Sequence, residues 1–121
     1  EARRCLIPAT SFCEAKGRQP AVYHWFGVDD RSPFCFAGIW RENKLGYVKE
    51  TAPTETYSML TTTPNTLVRE IHPDRMPVIL DQKDWEVWLH GDQDEAAQLL
   101  RPFPADRMEI IGAGEGLKSE P

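Results

Sequence analysis

Phe34-Cys35-Phe36-Ala37-Gly38-Ile39-Trp40 is a continuous apolar run, and its reading decides the architecture of this 121-residue chain. Bounded by the turn-forming Asp29-Asp30-Arg31-Ser32-Pro33, it reads as a central strand buried on both faces. Toward the start of the chain, Ala21–Val28 (AVYHWFGV) is aromatic and β-branched, hence a second strand. Lys16-Gly17-Arg18-Gln19-Pro20 is a turn by its Gly and Pro. Cys5–Glu14 is rich in apolar, Thr and Ser residues and reads as a further strand. In the other direction, Glu42–Thr54 is polar, carries Gly46 and Pro53, and reads as a loop with a short strand at Tyr47–Val48. Thr56–Thr62 (TYSMLTT) is strand-like again.

The character then changes. Pro64-Asn65 opens a helical turn over Thr66–Ile71, with Thr63 or Asn65 as its cap. Residues His72–Pro77 break it, and Val78–Leu80 is a short strand. Asp81 is placed to cap a helix over Gln82–Leu89, whose Trp85, Trp88 and Leu89 share one apolar face, and Gly91 stops it. Asp92 or Asp94 starts another helix through Ala96–Leu100, ended by Pro102. Arg107–Ile111 is a last strand. Residues 1–112 are expected to belong to one domain and 113–121 to a flexible tail. The short early turns favour antiparallel pairing, so the fold class is α+β, rich in β.

Bulk properties narrow the function. A length of 121 residues fits one small domain, and four Trp, five Phe and three Tyr supply its core. The net charge of −5 argues against a uniformly basic nucleic-acid coat, although it leaves room for a local basic groove. No apolar run approaches the roughly 20 residues of a membrane span, and no signal-peptide pattern is present. The chain starts at Glu1, which reads as a fragment or a processed product. Three cysteines, an odd number, without a secretory signal fit a reducing compartment, here the cytoplasm. Their wide spacing is unlike a zinc site, so neither a metal nor a cofactor is expected.

Three features carry candidate chemistry. In Ile71-His72-Pro73-Asp74-Arg75-Met76-Pro77 two prolines pin the backbone around His72 and Arg75. A histidine on a rigid turn shuttles protons, and an arginine beside it clamps a phosphate. The structural alternative is a histidine bonded to backbone and an arginine paired with a carboxylate. Glu14 ends an apolar strand, where a desolvated carboxylate serves as a general acid; the alternative is a surface glutamate. Arg3 and Arg4 form a basic pair before a strand, either phosphate-binding or merely solvated. The spacing of Trp85 and Trp88 favours core packing over base stacking. There is no Ser nucleophile elbow, phosphate-cradling Gly loop or metal-ligand cluster.

Taken in order, these pieces resemble the SOS response-associated peptidase (SRAP) family. Arg3–Glu14 (RRCLIPATSFCE) resembles its strand ending in an active-site glutamate, which gives that role to Glu14. FAGIW matches its central strand. YSMLTTTPN followed by IHPDRMPVIL resembles its strand, helical turn and active-site histidine loop, which gives that role to His72. DWEVWL and LLRPFPADRMEI resemble its closing helix and last strand. The resemblance runs from Arg3 to about Ile111 and implies a barrel-like sheet with short peripheral helices.

The implied activity is covalent capture of abasic sites in single-stranded DNA. Family members remove the initiator methionine. The exposed N-terminal cysteine then condenses with the sugar aldehyde through its amine and closes a thiazolidine through its thiol. Glu14 and His72 would move protons; Arg3, Arg4 and Arg75 would hold phosphates. That nucleophile would lie upstream of the basic pair, and none of Cys5, Cys13 or Cys35 has the free α-amine needed to replace it, so the chain alone is expected to form no crosslink. Ala15 replaces the Trp common after the family's glutamate, and Pro73-Asp74 lengthens the His72 to Arg75 spacing relative to some members. Three other readings stand beside this one: a non-catalytic single-stranded DNA-binding module, a peptidase acting beyond its own terminus, and a structural remnant.

Overall fold

The computed structural model describes residues 3–43 and 54–121. The expected strand Tyr47–Val48 lies outside them. The apolar run is the core of β4 (Phe34–Asn43), whose residues 34–38 are all buried. β4 pairs antiparallel with β1 (Arg3–Ala9) along one edge; β5 (Thr54–Met59) and the short β8 (Ile79–Leu80) share the other. A second sheet runs β2 (Phe12–Lys16), β3 (Val22–Val28), β9 (Met108–Gly114), also antiparallel. β6 (Thr61–Thr62) and β7 (Met76–Pro77) make a third, two-stranded ladder. The fold is therefore α+β and mostly β, and among the described residues its sheets are open rather than closed into one barrel.

Alternation along β4 explains why both of its faces are dry. Phe34 and Phe36 point toward the second sheet. Phe12 lies edge-on to Phe36 at 5.9 Å between centroids and stacks on Phe26 at 5.1 Å. Val28, Val68, Met76, Ile79, Phe103 and Met108 complete that core. Ala37 points the other way, into a cluster with Val78, Leu80 and the helices α2 (Trp85–His90) and α3 (Gln93–Ala97), which contribute Trp88 and Ala96. Gly38 is needed on the first of these faces. A Cβ there would meet Ile7 Cδ1 at 2.6 Å and Cys5 Sγ at 3.0 Å, so only glycine lets the β1 side chains lie across β4.

Two expected strands are broken, each for a packing reason. Cys5–Glu14 divides at Thr10–Ser11 into β1 and β2, which belong to different sheets. The break lets Phe12 leave the first sheet and pair with Phe26. Thr56–Thr62 divides at Leu60. There Ala37 N–H donates to the Val78 carbonyl (2.9 Å), Leu60 N–H to the Ala37 carbonyl (3.0 Å), and Val78 N–H to the Leu60 carbonyl (2.9 Å). This three-way junction hands the chain from β4 to β7 without leaving those backbone groups unpaired.

The helices follow their caps. Asn65, not Thr63, caps α1 (Thr66–Arg69): its Oδ1 accepts from Val68 N–H at 2.9 Å, and its Nδ2 donates to the Phe103 carbonyl at 2.7 Å. Asn65 is buried, so Asn65→Ala leaves a donor and an acceptor without partners and should cost about 2–4 kcal/mol in urea denaturation. Asp92, not Asp94, starts α3 through a reciprocal capping box with Glu95. Asp81 caps less than its position implied. The segment opens as a 3-10 turn over Gln82–Asp84 before α2, and the Asp81 side chain makes no capping bond.

Arg107 takes that carboxylate instead. It donates to Asp81 at 2.6 Å and to both oxygens of Asp29 at 2.9 and 2.6 Å. Asp29, Asp30 and Arg31 form a left-handed turn with φ of 47°, 58° and 68°, each costing about 1–2 kcal/mol for an L-residue. The fork of Arg107 holds this turn against β9. Its hydrogen bonds keep both carboxyls below the ordinary aspartate range. A depressed carboxylate stabilises the fold above its unfolded pKa and loses that contribution as pH falls through its folded one. Arg107→Ala should therefore lower stability at pH 7 by about 1–2 kcal/mol, a figure discounted for solvent screening. The difference should shrink as melts are repeated below pH 3.8.

Residues 113–121, the expected tail, make contacts with the second sheet and the early turns. β9 runs on to Gly114, Trp25 Nε1 donates to the Leu117 carbonyl at 2.9 Å, and Arg31 donates to the Pro121 carbonyl at 2.9 Å. Thr10 donates to Glu120 at 2.8 Å. The outward face of the β2–β3–β9 sheet, with Trp25 and Tyr23, gives the tail a surface to lie on.

Candidate active site

Strand alternation places Glu14 on the inner face of β2, two residues beyond Phe12 and at the rim of the aromatic core. His72 follows α1 immediately. Its backbone N–H donates to the Val68 carbonyl at 2.8 Å, so the helix end fixes where the ring projects. Pro73 and Pro77 then carry the chain past Arg75 into β7.

The electrostatics bring three of these groups together. Burial pushes the Glu14 carboxyl above the ordinary glutamate range, and the charges of His72 and then Arg75 oppose that rise. All three thus act within one field, with Glu14 and His72 half-buried and Arg75 exposed at the mouth. Burial that favours the neutral form makes a carboxyl a better proton acceptor than an exposed one, and so better suited to pass a proton on. The imidazole Nδ1 of His72 is buried and has no hydrogen-bond partner among the described residues. A polar atom left so typically costs about 1–3 kcal/mol, and such groups concentrate where a ligand or neighbouring segment completes the set.

Arg3 and Arg4 stand elsewhere. Arg4 donates to the carbonyls of Gly91 and Asp92 and lies 5.6 Å from the Trp88 ring, closing the C-terminal end of α2. The guanidinium for which a phosphate contact is expected thus bonds the helix end in the described fold. Arg3 lies 4.8 Å over the Trp40 ring and is exposed. It sits at the far end of β1, about 20 Å of strand away from the corner leading to β2. The charges of His72 and Arg75 act on Glu14, and those of Arg3 and Arg4 are not among the influences on it.

Sequence reading missed His24. In the β2–β3 register it is directly opposite Glu14, so both side chains project from the same face. A carbonyl only accepts, so the 3.1 Å contact to the Val22 carbonyl makes Nδ1 of His24 the protonated nitrogen. The turn expected at Lys16–Pro20 would have paired position 14 with Val22; the observed turn spans 17–21, with Lys16 opposite Val22, and this brings His24 to Glu14 instead. Trp85 and Trp88 pack against the β-sheet as expected, with Trp88 Nε1 donating to the Cys5 carbonyl at 2.9 Å. Among the described residues no group of three or more His, Cys, Asp or Glu side chains is arranged to hold a metal, and no helix is long and apolar enough to cross a membrane.

A carboxyl at the end of a strand and an imidazole after a helical turn, against a two-sheet core with a short ladder, are the pieces expected of one family. The sequence profile of the SOS response associated peptidase (SRAP) family matches residues 1–116, and the chain belongs to that family. It is 38% identical over 112 residues to the abasic site processing protein YoqW of Bacillus subtilis, a match covering 88% of this chain and 48% of that protein. Abasic site processing protein YobE of the same organism is 37% identical, over 88% of this chain and 49% of its own length. A crystal structure of a Bacteroides thetaiotaomicron protein superposes with a TM-score of 0.76 at 31% identity, covering 92% of this chain and 48% of that one. One from Bordetella bronchiseptica gives 0.76 at 29%, covering 93% and 54%. The chain spans about half the length of the curated relatives it matches.

Proposed function

We propose that these residues form the part of an SRAP domain that supplies the proton-transfer groups for processing abasic sites in single-stranded DNA. The observation that carries the reading is the buried, unpartnered Nδ1 of His72, whose charge, with that of Arg75, acts on a Glu14 carboxyl that burial pushes toward its neutral form. The names of the curated relatives give the substrate class.

The chemistry fits these residue types. An amine adds to the open-chain aldehyde of an abasic sugar and gives a carbinolamine. Loss of its hydroxyl as water needs an acid, and leaves an imine. A thiol next to that amine then adds across the C=N bond and closes a thiazolidine, with one proton returned to nitrogen. Glu14 is the group to protonate the departing hydroxyl, and His72 the one to relay protons between it and the incoming nucleophile. Arg75, exposed beside them, is the candidate for a flanking phosphate. The nucleophilic amine and thiol would come from outside these 121 residues, because Cys5, Cys13 and Cys35 all lie inside the chain.

The test is a denaturing gel of a family-length protein containing these residues, mixed with a single-stranded oligonucleotide carrying one abasic site. A slow-migrating species that survives denaturation and needs Glu14 and His72 supports the reading. Binding that only weakens with salt, with no covalent species, assigns the chain to a non-catalytic DNA-binding module instead.

A further inference from the structure

Asn65 is the one polar residue buried among the described residues, and it lies at the base of the loop that carries His72 and Arg75. It holds both ends of that loop. At the start, Oδ1 accepts from Val68 N–H at 2.9 Å, and the backbone carbonyl accepts from Arg69 N–H at 2.9 Å. At the far end, its backbone N–H donates to the sulfur of Met76, the residue after Arg75, at 3.3 Å. Met76 is itself fixed by pairing with Thr62 across the β6–β7 ladder. The amide nitrogen Nδ2 faces a third element. It donates to the Phe103 carbonyl at 2.7 Å and lies 3.3 Å from the Met108 sulfur. A four-residue helix needs only a cap, and Ser, Thr or Asp would supply one. The donor side of the amide adds what a cap does not, a tie from the base of the loop to the segment leading into β9.

We propose that Asn65 is a positioning residue for His72: through Val68 it holds the backbone from which the imidazole projects, and so sets the ring's place relative to Glu14. This rests on the proposed function, which gives His72 its proton-relay role. The path is two hydrogen bonds long. Asn65 Oδ1 accepts from Val68 N–H, and the Val68 carbonyl accepts from His72 N–H at 2.8 Å as well as from Ile71 N–H at 2.9 Å. Polarisation along such a chain strengthens each bond. Among the described residues the ring's buried Nδ1 has no hydrogen-bond partner, so its place is inherited from the main chain. Pro73 stiffens the backbone just beyond, which passes a shift at Val68 on to the ring instead of absorbing it. Val68 and Met76 are fully buried and give the clamp a rigid seat. A proton relay works over hydrogen-bond distances, and a displacement of about 1 Å costs on the order of 10²-fold in rate.

The experiment follows single-turnover capture of abasic single-stranded DNA by a family-length protein, at a temperature where each variant measured is folded by circular dichroism. Asn65→Ala should slow capture about 10- to 100-fold. In the His72→Ala background the same substitution should slow it less than about threefold, because a residue that acts through His72 then has nothing left to position. Asn65→Asp keeps the acceptor for Val68 N–H but sets a carboxylate against the Phe103 carbonyl, so it should melt lower yet capture within about threefold of the unsubstituted rate. Asn65→Ser, a milder truncation, takes the place of Asn65→Ala if that variant does not fold, and should give the same pattern at smaller size. Amide exchange without DNA is the second readout. In Asn65→Ala or Asn65→Ser the Val68 and His72 N–H groups should speed up by a larger factor than those of β3, which report global stability. The proposal is overturned by a loss of rate that persists in full without His72, by a folded Asn65→Ala or Asn65→Ser that captures at the unsubstituted rate, by an Asn65→Asp as slow as Asn65→Ala, or by exchange at 68 and 72 that rises only in step with β3. If the unsubstituted protein forms no covalent species, the proposed function fails, and exchange at Val68 and His72 alone decides whether Asn65 holds the histidine.

Discussion

Glu14→Gln in a family-length protein is expected to slow covalent capture of abasic single-stranded DNA by about 10²- to 10⁴-fold, the usual worth of a positioned general acid. The amide keeps the size and polarity of the carboxyl and removes only its proton chemistry. His72→Ala should give a loss in the same range. The pair should not multiply. If carboxyl and imidazole serve one proton path, the double variant loses little more than the worse single one. Independent factors that multiply would mean two unconnected roles. The same substitution has an opposite effect on the fold. Burial raises the folded-state pKa of Glu14, so near neutral pH the native state carries a carboxylate it solvates poorly. The folded protein binds more protons than the unfolded one between the two pKa values, so this group's contribution turns unfavourable as pH rises above 4.5. Glu14→Gln should therefore raise the melting temperature at pH 7 and leave it unchanged at pH 4. Such a gain, paired with lost activity, is the mark of a group kept for function rather than stability.

The elements that carry Glu14, His72 and Arg75 were legible in the sequence, because they depend on local signals. The prolines at 73 and 77 announce a fixed turn, the Asn65 cap announces where α1 begins, and an apolar strand running into Glu14 announces a carboxyl at the edge of a core. Residues whose role depends on long-range pairing were not legible. Arg4 and Arg107 are two examples. Arg4 looked like half of a basic patch, yet its partners are carbonyls 87 and 88 positions away. Asp81 had the position of a helix cap, but a charge-assisted bond from Arg107, 26 residues away, outcompetes the backbone for it. The strand breaks at Thr10–Ser11 and Leu60 have no Gly or Pro to mark them. They exist because Phe12 and the Leu60 backbone have partners in other sheets. The contacts of residues 113–121 were not legible for a related reason: Gly and charge suggest looseness, and the aromatic surface of Trp25 and Tyr23 beside them is assembled only in three dimensions.

Phe26→Ala is the substitution expected to damage the fold most, and it also tests what raises the Glu14 carboxyl. Phe26 is fully buried at the centre of the middle strand of the second sheet, opposite Phe12 in register and stacked on it. Truncation removes the ring, opens a cavity between the sheets and leaves Phe12 without its stacking partner. The cost should be about 3–5 kcal/mol in urea denaturation, a large share of the roughly 5–15 kcal/mol that holds a domain folded. Phe26→Leu refills most of the volume and should cost less than half as much. Alternation puts Phe12 and Glu14 on one face of β2, and Phe26 and His24 on the matching face of β3, so the aromatic stack is the nearest apolar wall to the carboxyl. If that wall is the source of the desolvation, water entering the cavity of Phe26→Ala should lower the Glu14 titration midpoint toward the ordinary value, while Phe26→Leu should hold it nearly in place. Carbon-detected NMR of the labelled carboxyl reads the midpoint directly in the fraction that remains folded. A midpoint that stays put while stability falls would separate core from site, and would shift the origin of the desolvation away from the aromatic stack.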